Sequence, residues 1–252
     1  MNENCTHISV CLDRSGSMSS MATEVVSGFN KFVDDQKKEE GEATLSLFQF
    51  DDVYEVVHDF INIKDMGGIK LTPRGSTALL DAMGQTLEET RAKVLKMKDE
   101  EQPSKVIFVF ITDGEENAST KYNRKQIFAM IKDLKSADRG DQINWEFVFI
   151  GANQDAISEG GSMGIRAQSS ITFDASGAGA TMAFSSLSKG MTSYRKCKAD
   201  SATYAFDSAD YAAQDNLLKS KGKSGYSKKS ILPTNIPDLD DGIVKVDKDT
   251  KA

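Results

Sequence analysis

Histidine is almost missing from this chain of 252 residues, which has only His7 and His58. So few imidazoles leave no basis for a histidine-rich metal site. Cysteine is scarce as well. The three present, Cys5, Cys11 and Cys197, are odd in number and form no C-x-x-C pair. That excludes a disulfide framework and a zinc knuckle, and fits a reduced, cytoplasmic protein. No apolar run approaches the ~20 residues that cross a bilayer, and the opening MNENCTHISV lacks the charged-then-apolar order of a secretory leader. Positive charge is in deficit: 31 Lys and Arg face 38 Asp and Glu, for a net charge of −7 and a pI near 5.0. A general nucleic-acid binder working by counterion release is therefore not expected, and neither is a membrane partner.

What is present is an ordinary globular composition arranged in alternation. HISVCL places Ile8, Val10 and Leu12 on one strand face, with Ser9 and Cys11 on the other. ATEVVSGFNKFVDDQ then spaces Val25, Val26, Phe29, Phe32 and Val33 at helical intervals. ATLSLFQF and VYEVVHDFINI follow as two strands separated by Asp51 and Asp52, the pattern of a hairpin. Beyond a Gly- and Pro-marked loop, Leu80, Met83, Leu87 and Val94 form one helical stripe. KVIFVFIT and WEFVFIG are nearly unbroken apolar runs, as in strands covered on both faces, and a helix carrying Ile127, Phe128, Ile131 and Leu134 separates them. SSITFD is expected to be the last strand and GATMAFSSLSKGMTSYRKC the last helix of this unit. The alternation predicts an α/β fold with an open, mostly parallel sheet and helices on both faces. In such sheets ligands bind beyond the carboxyl ends of the strands, where the strand order reverses.

Residues 1–197 carry the whole net charge. Residues 198–252, with nine lysines against nine aspartates, are read as a flexible or partly helical C-terminal tail. Within it SATYAFDSADYAAQDNLLKS can form a helix, and KSKGKSGYSKKS reads as a linker.

Three segments put oxygen donors at the ends of elements. Asp13, Ser15 and Ser17 leave the first strand in VCLDRSGSM, Thr77 precedes a helix in LTPRGSTAL, and Asp113 ends a buried strand in FITDGEE. Hydroxyls and carboxylates suit a hard divalent cation such as Mg2+, with Ser15, Ser17 and Thr77 as direct ligands. Asp13 and Asp113 would bind directly or through water. Neutral hydroxyls leave such an ion electron-poor, so a carboxylate from a partner protein is expected to complete its shell. Glu115 and Glu116 lie just past Asp113, either lining the rim or serving as surface charge.

The D-x-S-x-S element of Asp13, Ser15 and Ser17, the threonine at 77 and the aspartate at 113 together resemble a von Willebrand factor A (vWA) domain with a complete metal-ion-dependent adhesion site. The resemblance covers roughly residues 5–197. It implies a doubly wound, Rossmann-like sheet with one antiparallel edge strand, magnesium or manganese at the top of the sheet, and recognition rather than catalysis. Short stand-alone versions of this kind are similar to proteins of bacteria and their phages. Two other functions compete with recognition: a metal-dependent hydrolase of phosphate esters, and an assembly protein whose tail docks through LPTNIPDLDD. The hydrolase lacks a general base in sequence near the site.

Other motifs read as structure. Arg139-Gly140-Asp141 is taken as a turn, SLSK at 186–189 as a polar helix face, and the acidic DLDDGIVKVDKD as a solvated stretch without the EF-hand ligands.

Overall fold

The computed structural model describes residues 1–136, 140–152 and 154–222. Arg139 of the RGD tripeptide, the linker beyond Gly222 and both acidic motifs of the tail lie outside the described residues.

Six strands form one sheet in the order β3-β2-β1-β4-β5-β6. They are β1 (Asn2–Asp13), β2 (Glu42–Phe50), β3 (Tyr54–Asn62), β4 (Pro103–Thr112), β5 (Asn144–Ala152) and β6 (Ser170–Phe173). β3 runs antiparallel to β2 at the sheet edge, and every other pair is parallel. The expected α/β class and the antiparallel edge are both observed.

Strand alternation divides the core in two. On one side Ile8, Val10, Leu12, Ile107, Val109 and Ile111 meet α1 (Ala22–Gln36) and α5 (Gly177–Lys196) through Phe29, Phe32, Phe184 and Leu187. On the other, Cys11, Phe108, Phe110, Phe147 and Phe149 meet α2 (Leu79–Lys96) and α3 (Arg124–Leu134) through Met83, Leu87, Ile127 and Ile131. A short helix, α4 (Ala156–Ser162), joins this second side and had no readable period in the sequence. Trp145 is buried at the start of β5, its ring 6.1 Å from that of Phe108. Among the described residues no helix is long and apolar enough to cross a membrane.

The first part of the stretch read as a tail packs onto this body. Ala202, Tyr204 and Phe206 are buried, and a further helix, α6 (Ser208–Ser220), follows with a capping box made by Asp207 and Asp210. The Tyr211 hydroxyl donates towards the carbonyls of Ala167 and Ser170 at 3.1 and 3.0 Å, so α6 lies against the β6 side of the sheet. Three alternate apolar residues are too short a pattern to mark a buried segment by sequence alone.

Tyr204 fits because α5 has glycine at 190. A Cβ added there would lie 2.7 Å from Cζ and Oη of the Tyr204 ring. Gly190→Ala is therefore expected to lower stability by about 1–3 kcal/mol through overpacking, measured as a shift of the urea unfolding midpoint with an unchanged slope.

Candidate metal centre

The sheet reverses its winding between β1 and β4, since β1 connects to β2 on one side and β4 adds to the other. These strands are parallel and paired with Leu12 opposite Ile111, so Asp13 and Thr112 emerge side by side at their carboxyl ends. After Asp13 the chain turns at once. Ser15 has extended backbone angles, and residues 16–20 form a single 3-10 turn.

Asp13 forms the floor, with no exposed surface. One carboxylate oxygen accepts the Ser15 backbone N–H at 2.6 Å, and the other accepts the Thr112 hydroxyl at 2.6 Å. Above it the Ser15 and Ser17 hydroxyls stand 3.0 Å apart, and Ser17 donates to Asp113 Oδ1 at 2.6 Å. Thr77 arrives from the loop before α2. A Cβ built on Gly114 would lie 2.9 Å from Thr77 Oγ1 and 3.5 Å from Ser17 Oγ, so the two hydroxyls approach one point in a space that glycine leaves open. Ser15 and Thr77 are buried and Ser17 is exposed, which gives the cluster a closed floor and an open mouth. All five candidate residues are thus brought together.

Thr77 is fixed by the loop after β4. The Asn117 side chain accepts its N–H at 3.0 Å, while its carbonyl accepts the N–H groups of Asn117 and Ala118. Glu116 is turned inward. Its oxygens accept the N–H groups of Leu80, Ala118 and Ser119 and the Ser119 hydroxyl, serving the first turn of α2. Those bonds engage both of its carboxylate oxygens. Glu115 stays exposed beside the site.

The electrostatics follow from burial. Burial pushes the Asp13 carboxyl up to about 6, against the opposing hydrogen bonds from Thr112 and Ser15, and the nearby Asp113 pushes in the same direction as burial. Burial also raises Asp113, against the bond from Ser17. Arg14, the cation next in sequence, gives its guanidinium to Asp51 and Glu55 instead. Two carboxylates converging with three hydroxyls, and with Arg14 engaged elsewhere, form a donor set that fits a hard divalent cation. Among the described residues no group of three or more His, Cys, Asp or Glu side chains is placed to hold a metal, as a hydroxyl-rich set requires none.

Sequence reasoning missed the roles of Thr112 and Asn117. Each acts on a residue distant in the chain, and no local pattern marks it.

No protein-family model and no curated protein sequence matches the chain. Solved structures do match. Proximal thread matrix protein 1 from the mussel byssus aligns with a TM-score of 0.51 at 16% identity, over 75% of this chain and 46% of that one. The fold is vWA-like. The PilB minor pilin of Streptococcus sanguinis aligns with a TM-score of 0.51 at 12% identity, over 76% of this chain and 62% of the pilin. VWA2, an ArnB paralog of Sulfolobus acidocaldarius, gives 0.47 at 16% identity, over 79% and 46% of the two chains. For the mussel protein and the pilin, identities this low establish shared fold alone, and this chain spans just under half the length of the mussel protein.

Proposed function

We propose that this vWA-like protein is a divalent-metal-dependent recognition module that captures an acidic group of a protein partner. Ser15, Ser17 and Thr77 would hold Mg2+ or Mn2+ directly, with Asp13 and Asp113 acting directly or through water. When bound, the ion supplies a Lewis-acidic position for a partner's Asp or Glu carboxylate. The chain's own residues do the rest. Asp13 orients Ser15 from below, Thr112 orients Asp13, and exposed Ser17 marks the side from which a ligand enters. Glu115 lies at the rim, while Glu116 shapes the loop that carries it. We take residues 1–197 as the vWA-like unit, with the stretch from Ala202 through α6 packed upon it, acting in a reduced cytoplasmic setting.

The observation that carries this reading is the convergence of Ser15, Ser17 and Asp113 within 3.0 Å of their neighbours above a buried Asp13. Structures of the mussel protein include one with a zinc-occupied MIDAS motif, the metal-ion-dependent adhesion site. A hydrolase at this centre would need a base other than histidine. His7 lies six residues before Asp13 on β1, roughly 20 Å away at strand rise, and His58 lies in the edge strand β3 opposite Leu47.

The test is reversible capture. A partner retained by the immobilised protein in magnesium should be released by EDTA, return when magnesium is restored, and fail to bind Asp113→Ala. Capture that survives chelation undiminished would sink the mechanism.

A further inference from the structure

Asp51 follows β2, which pairs with β1 so that Asp13 faces Phe50. Its side chain is fully buried, and it receives two guanidinium groups. Oδ2 accepts Arg14 Nε at 3.0 Å and Arg74 Nε at 2.7 Å, while Oδ1 accepts the Val53 N–H at 2.6 Å. The Asp51 carbonyl accepts the N–H of Ala78 at 3.0 Å. Arg14 stands between Asp13 and Ser15, and Arg74 stands three residues before Thr77. The two loops also touch directly, Arg74 N–H donating to Arg14 O at 2.8 Å and Gly16 N–H to Gly75 O at 3.3 Å.

We propose that Asp51 is a positioning residue of the metal centre. It ties the Ser15–Ser17 turn to the Thr77 loop through Arg14 and Arg74, and so sets metal affinity without touching the ion. The inference rests on the metal-binding reading above. Its physical basis is geometric. Three hydroxyls from two loops must meet at one point, and neither loop is part of a strand or α-helix where they do. A buried ionic network is poor evidence of added stability, because desolvation offsets its attraction. Fixed geometry is what two charge-assisted N–H bonds from different loops, converging on one carboxylate oxygen, provide. The same network takes Arg14 away from Asp13, leaving that carboxylate free for a cation. Gly75, at φ +65°, lets the Thr77 loop come this close; a Cβ there would lie 2.0 Å from Asp52 Oδ1.

Loss of groups that orient metal ligands generally weakens affinity by ~10–100-fold. Magnesium is titrated by calorimetry into the full chain as wild type, Arg74→Ala, Arg74→Lys, Asp51→Asn and the Arg74→Ala/Asp51→Asn double variant. The Arg74 side chain is 57% exposed, so its removal is expected to leave the metal-free melting temperature in place. We expect Kd to rise ~10-fold for Arg74→Ala and further for Asp51→Asn. Arg74→Lys should recover part of the loss, and the double variant should bind no more weakly than Asp51→Asn alone, because both act through one contact. Wild-type affinity in both Arg74→Ala and Asp51→Asn overturns the inference while leaving the metal centre standing. So does affinity that falls only in step with metal-free stability. A wild-type protein that binds no magnesium overturns the metal centre and this inference together.

Discussion

Asp13→Asn is expected to weaken magnesium binding by two orders of magnitude or more while leaving the metal-free protein at least as stable as wild type. The two effects have one cause. Asp13 has no exposed surface, and the nearest arginine in sequence is paired with Asp51 and Glu55. Its ionised carboxylate therefore bears the desolvation of a buried charge until a cation arrives. Asparagine keeps an acceptor for the Ser15 N–H and a polar group facing Thr112, so the floor stays hydrogen-bonded. What disappears is the negative charge and one oxygen. Loss of about 100-fold in affinity corresponds to ~2.7 kcal/mol, within reach of a single charged group beside a divalent ion. Calorimetric titration reads the affinity and urea unfolding of the metal-free proteins reads the stability. If Asp13→Asn binds magnesium as wild type does, the assignment of the floor residue fails. If the variant is much less stable without metal, the carboxylate serves the fold and its link to the ion is unsupported.

The second large effect concerns acid and a site remote from the metal. His7 is wholly buried in β1, with Nδ1 2.9 Å from the Thr44 hydroxyl and Nε2 without a partner. The Phe60 ring lies flat upon it, centroids 3.6 Å apart at 3°, and Lys93 sits over the same Phe60 ring. Burial, with the Lys93 charge adding to it, lowers the His7 imidazole to about 3 from its ordinary 6.5. Between those values the unfolded chain binds a proton that the folded chain refuses. Stability from neutral His7 is thus fully present above pH 6.5 and is lost progressively as pH falls toward 3, where the total reaches about 5 kcal/mol. At pH 4.5 roughly 2.7 kcal/mol of it should be gone. Carboxylates titrate in part of the same range, so the comparison is with His7→Leu, which cannot take up the proton. Unfolding free energies at pH 7 and pH 4.5 should differ less in the variant by about that amount. Equal pH dependence in the two proteins would mean that His7 is protonated without harm and that its burial is relieved by local opening.

Much of this molecule is written in short-range pattern. The apolar runs of β4 and β5, the alternation in β1 and the stripes of α1, α2 and α3 mark their elements because each period is set by the residue's own backbone geometry. The β2–β3 hairpin is legible for the same reason, its strands being separated by a three-residue turn. Asp13, Ser15 and Ser17 are legible as donors because they are neighbours leaving one strand, and Thr77 and Asp113 because each sits at the end of an element.

Tertiary structure decided what no window of sequence contains. Asp51 reaches Arg14 and Arg74 across 37 and 23 residues, and Asn117 reaches Thr77 across 40. Glu116, readable as rim or surface charge, caps α2 because folding places that helix's unpaired N–H groups beside it. Ala202, Tyr204 and Phe206 look like part of a tail until Gly190 and the β6 side of the sheet are in place to receive them. Donor chemistry is a property of side chains and can be read from their order. Which donors meet, and which charges are already used, depends on chain segments that are distant until the sheet brings them together.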